Sequence, residues 1–350
     1  MKQVFDIDAL VRPSVKALKP YSSARDEFKE FNKDMMFLDA NENPFNNGLN
    51  RYPDPQQSSL KEKLSEIKEV KSSQILLGNG SDEILDLIFR AFCEPTKDEV
   101  IVLPPTYGMY EVLANTNAVK VIEINLDETF QPRVKPILES QKENTKLLFL
   151  CSPNNPTANS FNAKNIEELI KGFNGIVVID EAYIDFSNQE SWLSKLEDFP
   201  NLIITQTLSK AYGLAGIRLG VCYASEAIIS ILNKIKPPYN VNALTQQKAL
   251  ERLLEINKVK QEVKTLILER EVLIKALGDL KFIGKIYPSD ANFILMKVDD
   301  ANLRYRQLIA EGIVVRNRTN QPLCENCLRI TVGTPNENKK LIKTLKYLDQ

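Results

Sequence analysis

Short apolar runs rich in β-branched residues alternate with helical stretches through the first 207 residues, and this alternation restricts the fold more than any other feature. Apolar strands separated by helices are typical of a mostly parallel sheet that is covered on both faces. The sequence therefore predicts an α/β domain. Its strand candidates are residues 74–77, 99–103, 120–124, 145–151, 175–180 and 202–207, and its main helix candidates are 56–70, 81–92 and 107–115.

The pattern changes after the two prolines at positions 237 and 238. A long, charged helical stretch is predicted at 242–277, followed by strand candidates at 292–297, 313–316 and 327–332 and a helix at 302–311. This composition indicates a smaller α+β domain, and 350 residues suffice for two cores. We expect an N-terminal arm with part of the small domain at 1–45, a large domain at 46–238 and a C-terminal small domain at 239–350.

Charge and hydropathy disfavour several classes of protein. The chain has 45 Lys and Arg against 46 Asp and Glu, a net charge of -1, so neither nucleic acid nor a membrane surface is expected as a partner. No apolar run approaches the ~18 residues that a membrane-spanning helix needs. The N-terminus lacks the apolar region of a signal peptide, and we expect a cytoplasmic protein.

The chain contains no histidine, which excludes a histidine base and histidine-ligated zinc within one chain. Its five cysteines are spread widely, as expected for reduced thiols. Cys324 and Cys327 have the spacing of a redox or half-metal site, but zinc would need two more ligands and no second pair of this spacing exists. We therefore predict no metal, and acid–base chemistry falls to Lys, Tyr, Asp, Glu or Cys.

One lysine, Lys210, lies among small and apolar residues directly after a strand candidate. Packing among such neighbours removes water, lowers the pKa of a lysine and exposes a neutral amine that can form a Schiff base. Gly213 and Gly216 would let the backbone approach a flat ligand, while Ser209 and Arg218 supply donors for an anion such as a phosphate. The alternative is a strand-to-helix turn that carries a surface lysine.

Two other strand candidates lead into polar side chains. Asp180 ends one of them, where parallel sheets place their ligand sites, and its carboxylate can hold a protonated pyridine nitrogen while Tyr183 bonds a ring oxygen. The alternative is a magnesium site at Asp180 and Glu181, which lacks the GxxxxGK[ST] loop that would accompany it. Asn155 follows another strand candidate and is a possible donor to a ring oxygen, with a plain polar turn as the alternative.

A glycine turn, Gly78-Asn-Gly80, leads into a predicted helix that Ser81 is expected to cap. Backbone N–H groups at such a helix start bind phosphate. The turn lacks the third glycine of a dinucleotide-binding fingerprint, which disfavours nicotinamide binding. These observations predict a phosphate site at the start of the helix.

The four segments, which lie in chain order around Gly78, Asn155, Asp180 and Lys210, occur together in one sequence. The set resembles the fold-type I pyridoxal-phosphate aminotransferases over nearly the whole chain. More narrowly, the sequence is similar to the histidinol-phosphate aminotransferases in the segments 38–44 (LDANENP), 51–55 (RYPDP), 209–218 (SKAYGLAGIR) and 328–333 (LRITVG). The family has glycine where this chain has Ala158, which we expect to alter that turn slightly. The resemblance implies a mostly parallel seven-stranded sheet flanked by helices, a smaller α+β domain and a homodimer.

The resemblance also implies roles by position. Lys210 would carry pyridoxal phosphate and then move protons, and Asp180 would pair with the pyridine nitrogen. Tyr107 would stack on the ring, and Tyr52 would reach the cofactor phosphate of the partner subunit. The remaining cofactor contacts are implied for Gly80, Ser81, Asp82, Asn155, Tyr183, Ser209 and Arg218.

For the substrate, the resemblance implies that Arg316 and Arg329 bind its anionic end, assisted by Tyr21 and Asn155. Planar guanidinium groups bind phosphate and carboxylate through paired hydrogen bonds. The alternative for Arg316 is a surface salt bridge. The implied reaction converts histidinol phosphate and 2-oxoglutarate to imidazole-acetol phosphate and glutamate, in histidine biosynthesis. The alternatives are an aromatic aminotransferase and a threonine-phosphate decarboxylase.

Overall fold

The structure is a computed structural model that describes residues 5–19 and 36–350. Two sheets organise this part of the chain. The larger sheet contains β1 (Ile75–Asn79), β2 (Glu99–Val102), β3 (Lys120–Glu123), β4 (Thr145–Cys151), β5 (Ile176–Asp180), β6 (Leu202–Thr207) and β7 (Leu219–Ala224), and the smaller sheet contains β8 (Ile283–Ile286), β9 (Phe293–Val298), β10 (Arg316–Asn317) and β11 (Cys327–Thr331). The α-helices are α1 (Ile7–Leu10), α2 (Pro13–Ala17), α3 (Ser58–Lys68), α4 (Ser81–Phe92), α5 (Met109–Thr116), α6 (Val134–Ser140), α7 (Ala163–Gly172), α8 (Glu226–Ile235), α9 (Ala243–Leu254), α10 (Ile256–Gly278), α11 (Ala301–Ala310) and α12 (Pro335–Leu348).

The larger sheet has the strand order β1-β7-β6-β5-β4-β2-β3, and its neighbouring strands are parallel except where β7 is one of the pair. This confirms the predicted mostly parallel, seven-stranded sheet. The candidates at 145–151 and 202–207 coincide with β4 and β6. Strand β7 is missing from the candidates because it follows the glycine-bearing segment around Lys210 without an intervening α-helix and itself contains Gly220.

Helices cover both faces of this sheet, as the apolar runs predict. In β4, Leu147 and Phe149 pack on one face with residues of α4, α5 and α8. Leu148 and Leu150 pack on the other face with residues of α3, α6, α7 and α9. A strand buried on both faces has no polar alternation, and this explains the continuous apolar runs in the sequence.

The smaller sheet is antiparallel, with the order β10-β11-β9-β8, and one of its faces packs against α10, α11 and α12. The predicted α+β character is confirmed, with three differences in detail. The helical stretch 242–277 is two helices that meet at Glu255. Strand β8 was not predicted, because Gly284 and Lys285 interrupt its apolar residues. The candidate at 313–316 is wrong as a strand, because only Arg316 and Asn317 pair with a neighbour.

The predicted division at residues 45 and 238 stays a prediction. Val11 and Val15 of the N-terminal part pack into the core on one face of the larger sheet. Ala249 and Leu253 of α9 pack into the core on its other face. None of the described helices has the length and apolarity needed to cross a membrane.

The fold brings several strand ends and one helix start together. Strands β4, β5 and β6 run parallel, and the pairing of Cys151 with Asp180 places their carboxyl ends side by side. Helix α4 begins at Ser81, and its N-cap is Gly80, with φ +80° and no capping side chain. The expectation that Ser81 caps this helix is therefore wrong, since Gly80 occupies that position and Ser81 is already helical.

Candidate active site

A cavity lies where the three strands end. Nine of the residues singled out in the sequence line it: Ser81, Asp82, Tyr107, Asn155, Asp180, Tyr183, Ser209, Lys210 and Arg218. Cys151, Ala182 and Thr207 complete the lining. The cavity therefore collects side chains from five separated segments of the chain, in the position where open α/β sheets bind ligands.

Asp180 places a buried carboxylate at the bottom of this cavity, with 4% of the residue exposed. One oxygen accepts a 2.8 Å hydrogen bond from the Tyr110 hydroxyl, and the other accepts a 3.1 Å bond from the Ala182 N–H. Burial raises the pKa of Asp180, because the charged carboxylate loses its hydration. A cationic ligand group beside Asp180 would restore the lost stabilisation of the charge.

Aromatic side chains of α5 and of the loop before it form one wall. The fully buried Tyr110 stacks on Phe149, with ring centroids 4.9 Å apart, and this packing holds its hydroxyl against Asp180. Tyr107 meets Tyr110 edge-on at 5.6 Å and donates a 3.1 Å hydrogen bond to Asp82. Burial, and then the nearby Asp82, raise the pKa of Tyr107 and keep it a neutral donor. Of these rings, only that of Tyr107 lines the cavity, where a flat ligand could stack on it.

The start of α4 forms the opposite end of the site. Arg218 lies 3.5 Å from the Asp82 carboxylate and also directly against Gly80, where a Cβ atom would stand 2.7 Å from the guanidinium. A Cβ at Gly220 would stand 2.4 Å from the Ser81 nitrogen, so β7 contacts this turn through glycine alone. Exposed N–H groups, a hydroxyl and a guanidinium then converge at one helix start, the arrangement that binds phosphate.

Lys210 lies in the turn that follows β6, at the open side of the cavity. Its Nζ stands 5.6 Å from the centroid of the Tyr183 ring. Loss of hydration, and then the positive charge of Arg329, lower the pKa of Lys210, which increases the fraction of neutral amine. Tyr183 is 8% exposed, meets Phe293 edge-on at 5.0 Å, and keeps a raised pKa because it is buried.

Asn155 lies in the loop after β4, and the residue before it, Asn154, fixes the conformation of that loop. This fully buried amide donates to the Pro105 carbonyl at 2.8 Å and to the Thr157 hydroxyl at 2.7 Å. Ala158 ends the turn at φ +69°, the left-handed conformation that the family's glycine would adopt freely. Asn155 is thereby presented to the cavity, where its side-chain oxygen accepts a hydrogen bond from Arg329.

Three arginines, Arg316, Arg318 and Arg329, come together on the smaller sheet near the cavity. Burial, and then the charge of Arg318, lower the pKa of Arg329 to about 10. Burial and then Arg316 lower the pKa of Arg318. The Nε atoms of Arg318 and Arg329 are buried and have no hydrogen-bond partner in the described part of the chain. The arrangement is a concentration of positive charge suited to an anion.

One predicted site residue, Tyr52, lies elsewhere. Tyr52 does not line the cavity; it stacks on Tyr239 with ring centroids 4.4 Å apart and lines a second, open cavity. Tyr21 lies outside the described residues. Conversely, Tyr110 and Arg318 were not singled out in the sequence. Arg318 stands two positions from Arg316, a spacing that signals a shared strand face, whereas the contact of Tyr110 with Asp180 depends on how α5 packs.

The residues around the cavity fit pyridoxal phosphate. Asp180 is a buried carboxylate without a cation partner among the described residues, which suits a protonated pyridine nitrogen. The missing Cβ of Gly80 leaves room for the Arg218 guanidinium, and that of Gly220 leaves room beside the Ser81 N–H, two donors that a phosphate would need. Glu181, by contrast, is satisfied by Ser191, by the Trp192 N–H and by Gln206, and no cluster of metal-ligating side chains occurs within the described ranges.

Known proteins show the same family over nearly the whole chain. The sequence model of "Aminotransferase class I and II" matches residues 30–345. A histidinol-phosphate aminotransferase of Flavobacterium johnsoniae is 66% identical over 346 residues, and that of Christiangramia forsetii is 62% identical over 345 residues. Each alignment covers 99% of both chains.

Solved structures show the same fold. The histidinol-phosphate aminotransferase of Clostridium acetobutylicum superposes with a TM-score of 0.80 at 24% identity, covering 86% of this chain and 91% of the other. That of Sinorhizobium meliloti, in complex with pyridoxal-5'-phosphate, gives 0.76 at 22%, covering 85% and 84%. The threonine-phosphate decarboxylase of Porphyromonas gingivalis gives 0.73 at 23%, covering 86% and 91%. The fold is thus shared across different reactions, and sequence identity decides the family. This chain belongs to the class I and II aminotransferases and, within them, to the histidinol-phosphate aminotransferase family.

Proposed function

We propose that this protein transfers the amino group of histidinol phosphate to 2-oxoglutarate, giving imidazole-acetol phosphate and glutamate in histidine biosynthesis. Its cofactor is pyridoxal phosphate. The observation that carries the proposal is the cavity at the ends of β4, β5 and β6, where Lys210 and Asp180 lie together and Arg329 and Arg218 are close enough to lower the pKa of Lys210. The 66% identity to a relative named for this activity supports the choice of substrate.

Several side chains are proposed to hold the cofactor. Asp180 pairs with the pyridine nitrogen, Tyr107 stacks on the ring, and Asn155 and Tyr183 bond the ring oxygen. The turn at Gly80, with Ser81, Asp82, Ser209 and Arg218, surrounds the phosphate. When bound, the cofactor supplies an electron sink for the substrate's α-carbon. Asp180 sustains that property because a buried carboxylate keeps the facing nitrogen protonated.

Lys210 is proposed to bind the cofactor covalently and, once released, to move the substrate's α-proton. The lowered pKa of its ammonium group increases the fraction of Lys210 whose Nζ can act as a base. No histidine exists in the chain to take this role. The neighbouring Tyr183 ring, 5.6 Å from Nζ, fixes one side of the space in which the amine moves.

Arg329 and Arg316 are proposed to bind the anionic end of each substrate, with Asn155 and Tyr21 assisting. Arg329 contacts Asn155 at the cavity wall and is close enough to Lys210 to lower its pKa, so an anion bound by Arg329 would lie near the Lys210 amine. Both substrates carry an anion close to the amine-bearing carbon, and guanidinium donates paired hydrogen bonds to phosphate or carboxylate in the same geometry. One site can therefore serve both halves of the reaction.

A homodimer in the cytoplasm is proposed as the active form. Leu49, Tyr52 and Leu244 are each more than half exposed and line one open cavity, an apolar surface of the kind that marks protein–protein contacts. Tyr52 does not line the cavity that holds Lys210 in its own chain. We propose that it reaches the cofactor phosphate in the partner subunit.

The identity of the substrate can be tested by absorbance changes of the protein loaded with pyridoxal phosphate, measured in single half-reactions. We expect histidinol phosphate and glutamate to convert the cofactor to its amine form. If phenylalanine converts the cofactor and histidinol phosphate does not, the result would favour an aromatic aminotransferase instead. Release of carbon dioxide from threonine phosphate without amine-form cofactor would favour a decarboxylase, the activity for which the Porphyromonas gingivalis neighbour is named.

A further inference from the structure

We propose that Arg318 is a third anion-binding arginine of the substrate site and that it favours a phosphate dianion over a carboxylate. This inference rests on the proposed function, because it assigns Arg318 to the same site as Arg316 and Arg329. It goes beyond the two arginines that the sequence indicates.

The register of the smaller sheet places the three arginines on one face. Arg316 lies directly opposite Arg329 in the β10–β11 pair. The Arg318 N–H donates a 2.8 Å hydrogen bond to the Cys327 carbonyl, which extends this pairing by one step. Side chains two positions apart in a strand share a face, so Arg316 and Arg318 on one strand and Cys327 and Arg329 on the other point the same way.

That face is turned toward the larger sheet and its cavity. Cys327 and Leu295 pack in the same core as Tyr183, whereas Leu328 and Ile330 pack on the opposite side with the helices of the smaller sheet. On the inner face, Arg329 reaches Asn155 at the cavity wall. Arg318 shares that face and is close enough to Tyr183 for the two groups to interact electrostatically.

Within the described part of the chain, no carboxylate acts on the Arg318 guanidinium. It is half-buried, its Nε has no hydrogen-bond partner in the described ranges, and the same holds for Nε of Arg329. Burial and the neighbouring Arg316 lower the pKa of Arg318, and burial and Arg318 lower that of Arg329. Such donors are costly to leave unpaired, and an anion between them would satisfy both.

The charge of that anion decides how many arginines it needs. A carboxylate carries one negative charge and is satisfied by one guanidinium in paired geometry. A phosphate monoester carries close to two charges at pH 7 and has three acceptor oxygens. A third guanidinium therefore adds more to phosphate binding than to carboxylate binding, so Arg318 separates histidinol phosphate from glutamate by affinity.

Binding of inorganic phosphate to the protein loaded with pyridoxal phosphate tests the site without turnover. Loading occupies the cofactor's own phosphate site, so the added phosphate reports the substrate site. We expect the phosphate Kd of Arg318→Gln to rise about 10-fold or more, with Arg318→Lys between it and the wild type. The matched control is Arg306→Gln, which removes the same charge from an exposed position on α11 and should bind phosphate as the wild type does. Equal affinity of Arg318→Gln and Arg306→Gln would overturn the inference.

Kinetics of the two half-reactions give a second, separable readout. In Arg318→Gln we expect the KM for histidinol phosphate to rise about 10-fold or more, while the KM for glutamate changes by less than about threefold. Equal increases for both substrates would overturn the claimed selectivity. A wild-type protein that does not convert histidinol phosphate would refute the proposed function, and the phosphate titration would still decide Arg318.

Thermal unfolding tests whether Arg318 has a purely structural role. Without phosphate, Arg318→Gln should unfold at the wild-type temperature or above it, because the substitution removes an uncompensated, partly buried charge. A large drop in Tm would contradict the proposal, since it would mean that Arg318 stabilises the fold itself.

Discussion

Asp180 shows how a single buried side chain ties the chemistry to the stability of the fold. Burial raises its pKa above the ordinary value of 3.8, so the native carboxyl holds a proton more tightly than the unfolded one. The cofactor-free protein therefore loses stability relative to the unfolded chain as pH rises through the ordinary pKa and up to the native one. A protonated pyridine nitrogen offsets this loss in the loaded protein.

The Asp180→Asn variant should accordingly gain stability only when the cofactor is absent. The amide keeps an acceptor for the Ala182 N–H and can donate to the Tyr110 oxygen, so the packing is preserved. We expect the free energy of unfolding, measured with urea, to exceed that of the wild type by about 1–3 kcal/mol at pH 8, and the difference to shrink as the pH falls toward the ordinary carboxyl pKa of 3.8. The exposed Asp279→Asn is the control, and a difference that is independent of pH would contradict the explanation.

Individual site residues were predictable where the pattern alone fixes their position. Asp180 ends an apolar run, and the end of a parallel strand has one place in the sheet, so its approach to Lys210 and Asn155 follows from the alternation of strands and helices. Tyr110 lies in a helix, and its hydrogen bond with Asp180 depends on how α5 packs on Phe149. No local pattern carries that information.

Strand β7 is the element on which the phosphate end of the site depends. It lies between β1 and β6, where Gly220 pairs with Gly78 on one side and Thr207 on the other. Its backbone touches the start of α4 at Gly80 and Ser81. The sequence did not indicate this strand because no helix separates it from β6, and the antiparallel connection is made by the site loop itself.

Substitution of Gly220 by alanine should damage both the fold and the cofactor site. The new Cβ would stand 2.4 Å from the Ser81 nitrogen, so β7 and the helix start must move apart. We expect a loss of about 1–3 kcal/mol in unfolding free energy and a weaker affinity for pyridoxal phosphate, measured by urea unfolding and by cofactor titration. Gly278→Ala is the control, because Gly278 is the last residue of α10 and a Cβ atom added there meets nothing within 4 Å. Equal unfolding free energies of the two variants would contradict this prediction, because they would show that β7 and the start of α4 can move apart at no cost.

At the level of the assembly, the proposal that Tyr52 acts across a dimer makes a prediction that no single variant can give. Lys210→Ala removes the covalent lysine, and Tyr52→Ala removes the proposed phosphate contact of the partner site. A mixed dimer of the two variants has one site with both defects and one site with neither. We expect co-refolded or co-expressed mixtures to recover activity above both parent variants.

The mass in solution should be twice the chain's 39.7 kDa, which light scattering measures directly. Mixed dimers without recovered activity would contradict a contribution of Tyr52 in trans, because each site would then carry one defect. Leu49 and Leu244, exposed beside Tyr52, are not distinguishable by sequence from other surface leucines. Their shared surface becomes visible only when the two segments are placed together in space.

The central claim is that Lys210 holds pyridoxal phosphate in the cavity at the ends of β4, β5 and β6. Borohydride reduction of the loaded protein, followed by digestion and mass spectrometry, tests it most directly, because reduction fixes the cofactor to the amine that carries it. We predict a pyridoxyl group on Lys210 and its disappearance in Lys210→Ala. A pyridoxyl group on another lysine, or on none, would contradict the account.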